Sequence, residues 1–290
     1  MIQDVTYQLR ISENYDEMYD NIQKELKQYL IENKLKSLVI GISGGIDSAL
    51  CAALAKPVCD LLDIPLIGVS IPIQSNHKDE INRALGIGKL FCTQFHEMDL
   101  GFPFQQLSHT MNTFITDPLK KESEIEKKIR MGNIKARMRM IYLYNLAQFN
   151  KGMVLSTDNY TEYLLGFWTL HGDVGDYGMM QNLWKTEVYG LSKYIVNQLE
   201  LEGKLAEAQA LGACIDATPT DGLGITNSDL DQLGATSYTE VDQCLLRMFG
   251  FDEKINAEVC TKIIQRNKAT EFKRKNPYNI SRSNIIYGQL

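Results

Sequence analysis

Leu38-Val39-Ile40-Gly41-Ile42-Ser43-Gly44-Gly45-Ile46-Asp47-Ser48-Ala49-Leu50 decides the fold. Its first residues form a short β-branched run of the kind that makes a buried strand, and Ala49–Ala55 has the composition of the helix that follows. Between them, Ser-Gly-Gly-Ile-Asp-Ser carries little side-chain bulk, so bare backbone can approach an anion. Free N–H groups at the start of the helix, aided by its dipole, suit phosphate oxygens. Ser43 and Ser48 offer hydroxyl donors, and Asp47 offers a carboxylate for a magnesium ion that phosphates also ligate. The stretch reads as a pyrophosphate loop.

Two other phosphate loops are excluded. No lysine follows the glycines, as the Walker pattern requires. The third glycine of the dinucleotide fingerprint is also missing. Ser-Gly-Gly-x-Asp-Ser instead resembles the loop of ATP pyrophosphatases, which split ATP between its α and β phosphates.

Working outward, three-and-four apolar spacing from Tyr15 to Leu30 predicts a helix over 14–33. Leu66–Ile71 predicts a second strand and Asn76–Leu90 a second helix, with Ser75 as N-cap. A third strand is expected over Phe95–Leu100, helices over 104–116 and 121–149, and a fourth strand over Met153–Ser156. Strands that alternate with helices imply parallel βαβ units: an α/β, doubly wound parallel sheet with helices on both faces, binding ligands at the strands' carboxyl ends. After Thr186 the chain reads as largely helical, interrupted by a Gly/Thr/Asp-rich stretch at 216–237. The whole of 1–290 is expected to form one domain, in which the helical segment 1–36 offers a dimer contact.

The 290 residues, 44% hydrophobic and 23% charged, suit a globular domain with a substantial core. A net charge of −6 argues against a nucleic-acid partner. The polar N-terminus is unlike a signal peptide, and no apolar run approaches the roughly 18 residues of a membrane span. A cytoplasmic location is expected. Cys51, Cys59, Cys92, Cys214, Cys244 and Cys260 form no Cys-x-x-Cys pair and are expected to be mostly buried thiols rather than disulfides or zinc ligands.

Further along, Asn133-Ile134-Lys135-Ala136-Arg137-Met138-Arg139-Met140 and Ser156-Thr157-Asp158-Asn159, with Glu162 and Gly166, extend the pattern. Gly172-Asp173, Lys185-Thr186, Pro219-Thr220 and Lys273-Arg274 follow in order. Together with the loop, these segments resemble the NAD synthetases, members of the ATP-pyrophosphatase superfamily with an adenine nucleotide alpha hydrolase-like fold. The resemblance implies a homodimeric ligase that amidates nicotinic acid adenine dinucleotide (deamido-NAD) with ATP and ammonia. It also implies an adenylated carboxylate intermediate and the products NAD, AMP and pyrophosphate. Gly41, Ser43, Gly44, Gly45, Ser48, Thr157, Lys185 and Thr220 match ATP-binding positions. Asp47 and Glu162 match the magnesium ligands, and Arg137, Asp176 and Lys273 the deamido-NAD contacts. Lys185 would offset pyrophosphate charge, and Asp173 or Asp176 would take a proton from ammonium.

Some positions depart from the family pattern. Leu170 stands where a lysine is common and Phe272 where a histidine is, and the loop Val174-Gly175-Asp176 is one residue shorter. These changes spare the ATP side and leave nicotinic acid mononucleotide open as an acceptor. Another ATP-pyrophosphatase activity and a non-catalytic nucleotide-binding module are the remaining alternatives. Only about 35 residues precede the first strand, too few for a glutaminase domain, so free ammonia is the expected nitrogen source.

Overall fold

The computed structural model describes residues 9–73, 77–113, 122–219, 228–251 and 257–286. At its centre lie five parallel strands: β1 (Leu38–Gly41), β2 (Leu66–Ser70), β3 (Gln94–Glu97), β4 (Met153–Ser156) and β5 (Tyr177–Gly178). Their order is β3-β2-β1-β4-β5. Leu38 faces Leu66 on one side and Met153 on the other. Side chains alternate along a strand, so Leu38 and Ile40 enter one core while Val39 enters the other. Both faces of the sheet are covered, which is why β1 and β2 read as continuous apolar runs.

The described helices are α1 (Tyr15–Glu32), α2 (Ile46–Leu62), α3 (Lys78–Phe91), α4 (Gly101–Thr113), α5 (Glu124–Phe149), α6 (Tyr160–Leu165), α7 (Lys185–Leu201), α8 (Leu205–Ile215), α9 (Asp229–Leu233), α10 (Tyr238–Met248), α11 (Ala257–Ala269), α12 (Glu271–Arg274) and α13 (Arg282–Ile285). One face of the sheet packs on α2, α3, α7 and α8, and α1 adds Leu26 and Leu30 to the same core. The other face packs on α4 and α5 through Phe104, Leu143 and Ala147. Each such aliphatic or aromatic side chain contributes about 1.5–3 kcal/mol on full burial. A further apolar cluster joins α6, α10 and α11 through Leu165, Val241, Leu245 and Ile263. Among the described residues no helix is long and apolar enough to cross a membrane.

Several local expectations are corrected. Helix α3 starts at Lys78, with His77 in the N-cap position and its backbone N–H donating to Glu80 Oε2 at 3.2 Å; Ser75 lies outside the described residues. Strand β3 ends at Glu97, and α4 begins at Gly101, whose N–H donates to Asp99 Oδ1 at 2.7 Å. Helix α5 begins at Glu124 because Ser123 and Glu126 form a capping box: Glu126 N–H donates to Ser123 Oγ (3.2 Å) and Ser123 N–H to Glu126 Oε2 (2.8 Å). Strand β5, two residues long, is too short to show any periodicity. Cys244 and Cys260 are joined in a disulfide between α10 and α11, contrary to the expectation of thiols; Cys51, Cys59 and Cys214 are buried free thiols as expected.

Helix α10 does more than fill the smaller cluster. Its Asp242, 0% exposed, accepts hydrogen bonds from Thr161 Oγ1 (2.5 Å), Thr186 N–H (2.8 Å) and Thr186 Oγ1. Thr161 Oγ1 in turn accepts from Lys185 N–H at 2.8 Å. One carboxylate therefore fixes the first turns of α6 and α7 against each other. Asp242→Ala leaves these donors buried without an acceptor, and we expect a stability loss of roughly 2–4 kcal/mol in urea unfolding. A loss below about 0.5 kcal/mol, the range of an ordinary surface substitution, would show the network to be idle.

Candidate active site

Neighbouring β1 and β4 are the strands at which the order of the sheet reverses, and the crevice beyond their carboxyl ends is the favoured ligand position of such a sheet. Gly41 ends β1, and Ser43-Gly44-Gly45 turns the chain into α2, with Gly45 as N-cap. Gly44 has φ +83°, and a Cβ there would lie 2.2 Å from the Glu80 carbonyl oxygen on α3. Glycine is therefore required both by backbone conformation and by the close approach of α3. Ser48 is buried and ties the loop to itself: its hydroxyl accepts from Ser43 N–H (3.2 Å) and donates to Gly45 O (3.1 Å). Ser43 Oγ accepts from Gly45 N–H at 3.2 Å. Ser48 thus shapes the loop, and Ser43 and Gly45 form its exposed rim.

At the start of α2, Asp47 meets residues from two other helices. Lys185, first residue of α7 and 2% exposed, places Nζ 2.6 Å from Asp47 Oδ2 and 2.8 Å from Glu162 Oε1. Asn159 caps α6 by accepting from Glu162 N–H (3.0 Å) and donates to Asp47 Oδ1 (2.9 Å). A lysine at a helix N-terminus opposes the dipole, and here two carboxylates compensate for it. Burial alone lowers the Lys185 pKa, but Asp47 and Glu162 outweigh it and hold the ammonium well above its ordinary range. Burial and the nearby Asp47 raise Glu162, with Lys185 pulling the other way.

Two carboxylates and one ammonium leave the cluster one negative charge in excess. Hard oxygens from α2 and α6 converging on one point are the donor set that a phosphate-bound magnesium ion uses when phosphates and water complete its shell. Among the described residues no group of three or more ligating side chains forms a self-sufficient metal cage. Asp47 and Glu162 alone would leave most of such an ion's shell to phosphates and water.

Two cavities flank the loop. The first, about 240 Å³, lies over β1, β2 and β4: Gly41, Ser43 and Thr157 line it beside Val69, Ile71 and Leu143, with Asp173 and Arg139 also on its wall. Arg139 Nε donates to Ile71 O at 3.0 Å. The second, about 160 Å³, is lined by Ser43, Gly45, Asp47, Arg83, Glu162, Lys185, Thr218, Pro219 and Asp229. Ser43 belongs to both. Thr220 lies outside the described residues.

A third cavity of about 480 Å³ shares Met140 with the first and is lined by Tyr144, Asp158, Tyr163, Trp168, His171, Gln181 and Asn276. The three residues matched to acceptor contacts line none of these cavities. Arg137 Nε donates to Leu170 O at 3.2 Å, and Lys273 Nζ donates to Gly166 O at 2.6 Å and to Trp168 O. Asp176 accepts from Val154 N–H (2.9 Å) and Tyr144 OH (2.8 Å), which extends the sheet toward β5. In this structure they brace the 166–176 loop. Asp173, on the same loop, accepts from Thr169 N–H with both oxygens (2.8 and 3.0 Å). Crowding by protein pushes its carboxyl up to about 6, against the pull of the Thr169 N–H, Lys273, Arg137 and Arg139.

Asn159, Arg83, Asp229 and Asp242 were not among the residues singled out from the sequence as site residues. Asn159 had a legible signal, an N-cap residue three positions before Glu162. Arg83 and Asp242 sit mid-helix in unremarkable surroundings, and only the fold brings them to the site.

The sequence profile described as NAD synthase matches residues 18–277. An NH(3)-dependent NAD(+) synthetase of Mycoplasmopsis pulmonis is 33% identical over 272 residues, 89% of this chain and 92% of the relative. Its counterpart from Finegoldia magna is 32% identical over 90% of this chain and 95% of its own length. Among solved structures, an NMN synthetase from Francisella tularensis superposes with a TM-score of 0.76 at 24% identity, covering 92% of this chain and 99% of that one. At that identity the likeness shows the fold alone. With the profile spanning most of the chain, this protein belongs to the NAD synthase family.

Proposed function

We propose that this protein amidates deamido-NAD with ATP and ammonia, through an adenylated carboxylate. The observation that carries the reading is the position of Ser43 on the wall of both the apolar cavity and the charged one. Adenosine suits the first, with Val69, Ile71 and Leu143 on its walls. The β and γ phosphates suit the second, beside the start of α2. The α-phosphate then sits at the Ser43–Gly45 rim, with the bond to be broken at the junction.

A carboxylate is a poor electrophile until one oxygen becomes a good leaving group. Its oxygen bonds to the α-phosphorus while the α–β bridging oxygen leaves with pyrophosphate. Ammonia then bonds to the carbonyl carbon, and AMP departs with the former carboxylate oxygen. Catalysis is chiefly positioning and charge compensation. The Ser43–Gly45 backbone holds the phosphates, and Lys185 keeps Asp47 and Glu162 converged. Those two carboxylates would hold a magnesium ion, which when bound would offset charge on the departing pyrophosphate. Asp173, on the wall of the first cavity, takes the proton that ammonium loses.

A single domain and a homodimer complete the proposal. The apolar stripe of α1 is spent inside the chain, where Leu26 and Leu30 are buried, so α1 is the weaker interface candidate. Helix α5 leaves Ile125, Ile129, Ile141 (69% exposed) and Phe149 (84%) on the surface and is the stronger one. Nicotinic acid mononucleotide is the second reading for the acceptor. Leu170 supplies no cation, and Arg137 and Lys273 donate to backbone carbonyls, which lowers the provision for a second nucleotide's phosphate.

Assaying product formation with ATP and either ammonium or glutamine, across deamido-NAD and nicotinic acid mononucleotide, tests the reading directly. We expect ammonium-dependent release of AMP and pyrophosphate with deamido-NAD. Efficient use of glutamine by the pure protein, or turnover of neither acid, sinks it; sedimentation of the same sample reports the dimer. The isosteric variants Asp47→Asn and Glu162→Gln should each lower kcat about 10²–10³-fold, with raised magnesium demand. A near wild-type rate for either removes it from the metal site. Because Asp173 acts as a base with its pKa raised to about 6, kcat should fall as pH drops through about 6, above the ordinary carboxylate range. Asp173→Asn should be slow at every pH and lack that acid limb.

A further inference from the structure

The charged cavity beside the phosphate loop holds more acid than base. Asp47, Glu80, Glu162 and Asp229 line it, against Lys185 and Arg83. Lys185 is committed to Asp47 and Glu162 by two short ion pairs, so its charge is already balanced. A triphosphate entering here therefore needs another cation from the protein. Arg83 has the placement for it. It projects from α3, one turn beyond Glu80, where α3 approaches closest to Gly44. Its Nε donates to the Gly44 carbonyl oxygen at 2.9 Å. Among the described residues no carboxylate forms an ion pair with its guanidinium.

We propose that Arg83 is a phosphate ligand of this enzyme, contacting the β and γ phosphates and the departing pyrophosphate. The proposal rests on the ATP-dependent amidation argued above and adds a residue to it. The guanidinium fork divides its donors. Nε engages a loop carbonyl whose partial negative charge would otherwise face the polyanion. The two terminal amino groups remain for phosphate oxygens, in the paired geometry that arginine offers and lysine does not. In this way one side chain both sets the loop and supplies the charge that the balanced Lys185 cannot. As the α–β bond breaks, charge builds on the pyrophosphate, and a fixed guanidinium stabilises it without reorganisation.

Three variants separate charge from bracing. Arg83→Gln keeps an N–H donor for Gly44 O but has no charge; Arg83→Met has neither; Arg83→Lys has charge without the fork. Calorimetry with magnesium pyrophosphate, ATP and AMP on the intact protein gives the readout. We expect Arg83→Gln and Arg83→Met to weaken pyrophosphate and ATP binding roughly 10- to 100-fold, the range for losing a charge-assisted contact. AMP binding and the KM for the acceptor acid should stay unchanged, and Arg83→Lys should recover part of the loss. Wild-type pyrophosphate affinity in Arg83→Gln overturns the proposal and reduces Arg83 to a loop brace, as does an equal loss of AMP binding. If the wild-type protein amidates no acid yet binds pyrophosphate in an Arg83-dependent way, the amidation reading fails while the phosphate assignment stands.

Discussion

The buried ammonium of Lys185 is the constraint on which the rest of the site depends. Removing such a charge from water costs several kcal/mol unless partners replace its hydration. Here Asp47 and Glu162 do so at 2.6 and 2.8 Å, each from a different helix. That requirement fixes where α2, α6 and α7 begin relative to one another. The surrounding hydrogen bonds enforce the same geometry: Asn159 joins Asp47 to the first turn of α6, and Asp242 joins that turn to α7. The cluster holds two metal-type carboxylates converged on one point while leaving a net negative charge. Excess negative charge favours a cation over a phosphate, so on the proposed reading anion binding falls to the loop backbone and to charge from other residues.

The sheet determines where this cluster stands. Strand order β3-β2-β1-β4-β5 sends the connections from β1 and β4 to opposite sides of the pair, and a crevice opens between them. The phosphate loop leaves β1 on one side of it and Thr157 leaves β4 on the other. Gly41 and Gly44 let the backbone stay close to α5 and to α3, respectively: a Cβ at Gly41 would lie 3.2 Å from Leu143 and one at Gly44 would collide with Glu80. The small side chains that made the loop conspicuous thus answer to packing as much as to phosphate.

Sheet, helices and loop were legible because each leaves a periodic or compositional mark over several residues. The β-branched runs at 38–42 and 66–71, the turn glycines and the three-and-four spacing of α1 all survive in the structure with boundaries shifted by a few residues. What was illegible depends on contacts between distant segments. Strand β5 pairs Tyr177 and Gly178 with Leu155 and Ser156, beside Asp176, which bonds to Val154 through both backbone and side chain; no two-residue pattern announces this. The Cys244–Cys260 link joins two helices whose register the sequence does not specify. Asp242 looks like any acidic residue of an amphipathic helix until α10 packs against α6 and α7. Lys185 is an intermediate case: a cation at a helix N-terminus stands against the dipole, but only the fold shows that a pair of carboxylates compensates it.

On the proposed reading the two substrate sides are built differently, with consequences for specificity. The nucleotide side is formed by backbone and by a buried ionic network, so a change there disturbs folding and chemistry together. The other side is a loop, residues 166–176, in which long cations donate to carbonyls: Arg137 to Leu170, Lys273 to Gly166 and Trp168. His171 within it adopts a left-handed backbone at φ +57°, a conformation uncommon outside glycine, and packs beside Asn276. Substitution at His171 can therefore reshape the third cavity without touching the Lys185 cluster or the sheet. On the proposed reading Asp173 is where the two sides meet, because it lies on this loop, lines the first cavity and is drawn on by Lys273 and Arg137.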